Sequence, residues 1–175
     1  MPHKLDSILA CLSKAQSGLL SAADSVPAEE WKTRPSEGRW SAAELVAHLM
    51  MVERAVIGKA DRVAQRPPKR VSLLKRIHIP MALVESRWIR RKAPVPVEPD
   101  MLREKEGMLA ELRTVRERSL AFLEETRDRN MGEYCWAHQA LGTLNIYEWL
   151  QFIASHELRH TKQMREIAAS LPKPI

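Results

Sequence analysis

The chain has 175 residues, of which 45% are hydrophobic and 29% charged, and its formal charge is +6. That balance belongs to a folded globular chain and excludes disordered and fibrous classes, while the length fits one domain, 1–175, able to bury a real core. No run of about 18 apolar residues occurs, so no membrane span is expected, and Cys11 and Cys135 lie far apart without a CxxC pair, which suggests neither a disulfide framework nor a thiolate zinc site and fits a reducing, cytoplasmic compartment best.

Four segments carry helical periodicity and none carries a sustained period-two alternation, so the expected fold is all-α, a four-helix bundle. The first helix is predicted from Leu5 to Ser25, with Ile8, Leu12, Ala15, Leu19 and Ala22 on one stripe and Pro27 just beyond. Ser13 and Lys14 interrupt its early apolar run before it reaches the length of a signal-peptide core.

Breakers including Pro35 and Gly38 follow, and then Ser41-Ala42-Ala43-Glu44 forms a capping box that starts the second helix, expected to continue to about Gln65 before Pro67-Pro68. The next stretch, Lys69 to Lys92, carries the whole positive excess and reads as one or two short helices broken near Pro80: an additional basic helical segment between helices two and three. A basic stretch can attract nucleic acid, anionic lipid or an acidic substrate, but a solvated face explains most such runs. Nucleic acid is disfavoured, because no recognition helix or interleaved aromatic set accompanies the charge.

The proline-rich stretch Ala93 to Pro99 is expected to be a stiff connector. Asp100 can then cap a third helix running to about Asp128, with Leu102, Leu109, Leu112, Leu120 and Leu123 as core contacts. A loop is expected from Asn130 to Leu144. Asn145 with Glu148 repeats the capping pattern at the start of a fourth helix, which ends before Pro172.

The chemistry concentrates on two of these helices. At about 100° per residue, His156 and His160 fall on the apolar stripe of helix four with Trp149, Ile153, Met164 and Ile167, and His48 falls on the stripe of helix two beside Leu49, Val52 and Val56. An imidazole on an apolar stripe loses solvation and needs a partner that returns the loss. Taken alone, His48 reads best as a satisfied core histidine, and the His156/His160 pair leaves the core and metal readings evenly open. Together the three could share one divalent ion, zinc or nickel by the preferences of imidazole, with a fourth position open to water or substrate. His3, His78 and His138 read as ordinary surface or loop residues.

His156-Glu157-Leu158-Arg159-His160 also matches the HExxH string of zinc proteases, in which the glutamate is the general base. After His160 the sequence holds no histidine and only one carboxylate, Glu166, and no sheet is expected to build a substrate cleft, so a peptidase is not the expected function. Glu157 lies toward the interior of the same wheel and is the candidate catalytic residue, able to reach a water at the ion or to support a ligand. Glu44, one turn before His48, is already explained by its cap.

Trp40-Ser41-Ala42-Ala43-Glu44-Leu45-Val46-Ala47-His48-Leu49 resembles the helix-two signature of the DinB/YfiT-like superfamily. Leu141-Gly142-Thr143, Glu148-Trp149 and His156-Glu157-Leu158-Arg159-His160-Thr161-Lys162-Gln163-Met164 are similar to its final-helix signature, with the His-x3-His pair and a trailing glutamine. The resemblance implies an up-down-down-up bundle, a triad of His48, His156 and His160 holding nickel, zinc or a similar ion, and a homodimer. It also implies enzymes of the thiol-transferase or hydrolase type, acting on a small molecule such as an anionic thiol; the rival is a metal-stabilised bundle that binds partners without catalysis. Two departures stand out: His138 is followed by Gln139 where the family often has proline, and the basic segment is longer than a minimal bundle requires.

Overall fold

The computed structural model describes residues 2–68 and 101–171. Four long helices account for most of them: α1 (Pro2–Asp24), α2 (Ala42–Ala64), α3 (Lys105–Glu125) and α4 (Ile146–Ser170). α1 packs chiefly on α4, α2 packs chiefly on α3, and α2 also meets α4, which closes the bundle. The basic segment Lys69 to Lys92, the connector Ala93 to Pro99 and the Asp100 cap lie outside the described residues.

Both capping boxes form. The Ser41 hydroxyl accepts from the Glu44 backbone N–H at 3.2 Å while the Glu44 carboxylate accepts from the Ser41 N–H at 2.8 Å. Asn145 and Glu148 make the same exchange at 3.1 and 2.8 Å. Each box satisfies two backbone donors that a helix start would otherwise leave unpaired, so these sequences fix where α2 and α4 begin. The predicted stripe of α1 is buried throughout. Between α1 and α2 the chain is anchored by Trp31, fully buried, whose indole N–H lies 3.4 Å from the Met108 sulfur and whose carbonyl accepts from the Ala43 N–H at 3.0 Å.

Three expectations need correction. α3 starts at Lys105, with Glu104 as an N-cap that makes no side-chain cap bond, and it ends at Glu125. Leu120 is exposed; the buried polar positions Arg116 and Ser119 lie on the core face, and Leu120 is turned to its flank. The stretch expected as loop contains a 3-10 turn (Met131–Glu133) and an antiparallel hairpin, β1 (Cys135–His138) and β2 (Gly142–Asn145), in register Trp136 to Leu144 and His138 to Gly142. Strands of four residues are too short to show an alternation in sequence. The hairpin matters for the site because β2 runs directly into the Asn145 cap, so it sets the start of α4.

A second polar feature crosses the bundle. The buried Arg116 guanidinium donates to both oxygens of Glu53 on α2 at 2.8 and 3.0 Å, to Glu157 on α4 at 2.9 Å and to the Leu12 carbonyl of α1 at 2.6 Å. Ser119 adds a hydroxyl bond to Glu53 at 2.6 Å. One arginine thereby ties all four helices.

Candidate metal centre

His48 arrives from α2, and His156 and His160 arrive one turn apart on α4. Their ring nitrogens gather: Nε2 of His156 lies 3.4 Å from Nε2 of His48 and 3.2 Å from Nε2 of His160, and one ligand atom from each residue lies within 4.8 Å of the others. Among the described residues this is the group of histidines, cysteines and carboxylates able to hold an ion. The inward placement read from the helical wheels is therefore what the structure shows.

The cluster has an aromatic cover. Trp40, just before the α2 cap, packs 4.9 Å from the His48 ring centroid and lies nearly parallel to the His160 ring at 6.1 Å. Phe152 stacks on His156 at 5.3 Å from the opposite direction along α4. His48 and His160 are buried and His156 is partly buried.

Burial sets the protonation. Loss of solvation pushes His48 down to about 4. It also holds His156 well below its usual range, helped by the neighbouring imidazoles. These rings are neutral near pH 7, which is the form that binds metal.

Neutral rings with converging Nε2 atoms face a problem of their own. Each Nε2 carries either one hydrogen or one in-plane lone pair, so the central His156 Nε2 can form a well-directed hydrogen bond with only one of its two neighbours. Nδ1 of His48 is also buried with no hydrogen-bond partner among the described residues. A cation bound by the lone pairs of all three Nε2 atoms satisfies both contacts at once. With metal–nitrogen bonds of about 2.0–2.1 Å, two ligands of a tetrahedral ion stand about 3.3–3.4 Å apart, close to the two spacings that His156 makes with His48 and His160. The donor set and its geometry thus fit a divalent ion.

Glu157 faces the interior, as its wheel position suggested. It is only 1% exposed, yet its carboxylate turns to Arg116 and is not part of the three-histidine group. A rotation of about 100° separates adjacent helical residues, so His156 can face the cluster while Glu157 faces α3. Glu44 serves its cap, as its position suggested, and also pairs with Arg34.

His138, read as a loop residue, sits in β1 with its ring 4.7 Å from Phe152 and 5.1 Å from Trp149, and its Nδ1 accepts from the Ala140 and Leu141 N–H groups. It is thus one ring removed from His156. The reading from sequence gave no role to Arg116, whose place on the apolar stripe of α3 was the available signal, and treated Gln163 only as part of a signature.

A four-helix bundle with three buried imidazoles meeting between two of its helices has the donor set of a metal-binding protein. The profile of the DinB superfamily matches residues 12–164, and the chain belongs to that superfamily. It is also 28% identical over 148 residues to the uncharacterized protein YuaE of Bacillus subtilis (strain 168), an alignment that covers 83% of this chain and 87% of that one. No solved structure gives a significant match.

Proposed function

We propose that this protein is a divalent-metal-dependent enzyme in which His48, His156 and His160 hold one ion of the zinc or nickel type. The observation that carries the reading is the convergence of three imidazoles from two helices, with His156 Nε2 lying 3.4 Å from His48 Nε2 and 3.2 Å from His160 Nε2 and one ligand atom of each residue within 4.8 Å of the others. An ion held by three protein ligands would act as a Lewis acid at its remaining position, lowering the pKa of a water or small thiol there.

The protein's part is to present three imidazoles in fixed positions. Burial disfavours the protonated forms of His48 and His156, and Trp40 and Phe152 pack against the rings. Glu157 contributes by anchoring the turn of α4 that carries both histidines to Arg116. In this reading the substrate is a small molecule, an anionic thiol among the first to test, and the enzyme acts in the cytoplasm as a homodimer.

Metal analysis of untagged protein, set beside His48→Ala and His156→Ala, is the test. The expected result is close to one ion per wild-type chain and loss of that ion in both variants. Equal substoichiometric metal in all three overturns the reading. With metal established, turnover of a panel of thiols and electrophiles separates an enzyme from a metal-stabilised binding module, which would show none.

A further inference from the structure

The three histidines are not held alike at their outer edges. Nδ1 of His48 has no hydrogen-bond partner among the described residues. Nδ1 of His160, in contrast, lies 3.0 Å from Oε1 of Gln163, three residues on and on the same face of α4. An amide oxygen can only accept, so this contact requires a proton on Nδ1 and leaves Nε2 with a bare lone pair. That lone pair is on the nitrogen 3.2 Å from His156 Nε2, inside the cluster.

We propose that Gln163 is a positioning residue of the metal centre, whose amide oxygen holds His160 in the Nδ1–H form and sets the rotation of its ring so that Nε2 is ready to bind the ion. The proposal rests on the reading that the three histidines hold a metal. Two restraints then act on one imidazole from different directions. Trp40 lies within 9° of parallel to the ring and limits its tilt, whereas Gln163 grips its edge and limits rotation within the plane.

The opposite arrangement shows why the choice matters. With the Gln163 amide turned over, its NH2 would donate to Nδ1, and His160 would carry its proton on Nε2, aimed at the other ligands. Binding an ion would then require the amide and the imidazole to switch together. A hydrogen bond from a ligand histidine to an outer acceptor typically changes metal affinity by about 10–100-fold.

The experiment compares wild type, Gln163→Leu and Gln163→Glu. Leucine removes the acceptor at similar size; glutamate keeps an acceptor oxygen and strengthens it. The first readout is long-range proton–nitrogen NMR of the metal-free protein, which reports which ring nitrogen of His160 is protonated. Wild type and Gln163→Glu should show the Nδ1–H form, and Gln163→Leu should shift toward Nε2–H. The second is competition titration with Zn2+ and Ni2+, where Gln163→Leu should bind about 10–100-fold more weakly and Gln163→Glu at least as tightly as wild type. Far-UV circular dichroism establishes that each variant is folded.

His160 found as Nε2–H in the wild type, undiminished metal binding by Gln163→Leu, or equal weakening by leucine and glutamate each overturns the role of Gln163. Those outcomes leave the metal reading standing. A wild-type protein that takes up neither ion overturns the metal reading and this proposal with it.

Discussion

Replacing Arg116 with methionine tests how much of the bundle depends on one buried cation. The variant keeps an unbranched apolar stem and deletes a guanidinium that donates to Glu53, Glu157 and the Leu12 carbonyl. Glu53 and Glu157 are 3% and 1% exposed, so two carboxylates lose their counter-charge where water cannot replace it. Breaking such a pair from one side costs about 3–5 kcal/mol, a large part of the roughly 5–15 kcal/mol that holds a domain together. The triple variant with methionine at 53, 116 and 157 should recover most of the loss, because no charge then remains to be desolvated.

Acidity gives a second handle on the same variant. Burial pushes Glu157 up to about 7, with Arg116 pulling it back and Glu53 adding to the rise. A folded-state value above the ordinary 4.5 means that the folded chain prefers the protonated carboxyl. That contribution to stability is fully present below the ordinary value and is lost as pH rises through the folded one. Without Arg116 the carboxyl climbs further, so the deficit of Arg116→Met should be largest at pH 8 and shrink toward pH 5. Urea unfolding of metal-free protein at both values measures it. A deficit below about 1 kcal/mol at pH 8, or one of equal size at both, refutes the assignment of a buried structural ion pair.

Trp40 should report metal binding directly: Ni2+ or Cu2+ at the histidines quenches a tryptophan packed 4.9 Å from His48, and Trp40→Phe should remove the larger part of the fluorescence change. An unchanged amplitude in that variant would place the ion elsewhere. Glu44→Gln keeps an acceptor for the capping box but loses the charge that faces Arg34. Burial raises the Glu44 carboxyl, yet the bonds from Arg34 and Ser41 and the charge of Arg34 bring it below its ordinary value. The ionic contribution is therefore present above the usual carboxylate range and disappears as pH falls through the depressed value. Since the Arg34 side chain is 60% exposed, the variant should lose little stability at pH 7 and progressively less as pH falls through the depressed value, and a loss of unchanged size in acid would point to the cap instead. Gly142, with φ of +88°, begins β2; Gly142→Ala should cost about 1–2 kcal/mol in thermal unfolding, whereas a neutral result would mean the hairpin does not need that conformation.

The four helices and the three histidines were legible for one reason: each is written in local periodicity. A stripe repeats every turn, a cap places Ser41 or Asn145 three residues before Glu44 or Glu148, and His156 and His160 share a face by spacing alone. The hairpin escaped because four-residue strands leave no pattern, and Gly142 was the lone local sign. The partners of Glu157 escaped because they are distant in sequence: Arg116 belongs to α3 and Glu53 to α2, and no wheel drawn on α4 contains them. Leu120 shows the same limit from the other side, since a leucine at the edge of a stripe is buried only if a neighbouring helix covers that edge.

The His-Glu-x-x-His string makes the point about function. Helical geometry guarantees only that His156 and His160 can share a ligand and that Glu157 is rotated about 100° from His156. Whether the glutamate becomes a base depends on what stands where that rotation sends it. Here it meets Arg116, which already grips Glu53, and the third imidazole comes from His48 of a different helix. Arg116 engages one oxygen of Glu157, Oε2, at 2.9 Å, and this bond fixes where the carboxylate stands. The same five residues therefore specify two things in this bundle: a pair of imidazoles that meets His48 of α2, and a carboxylate tied to Arg116 of α3.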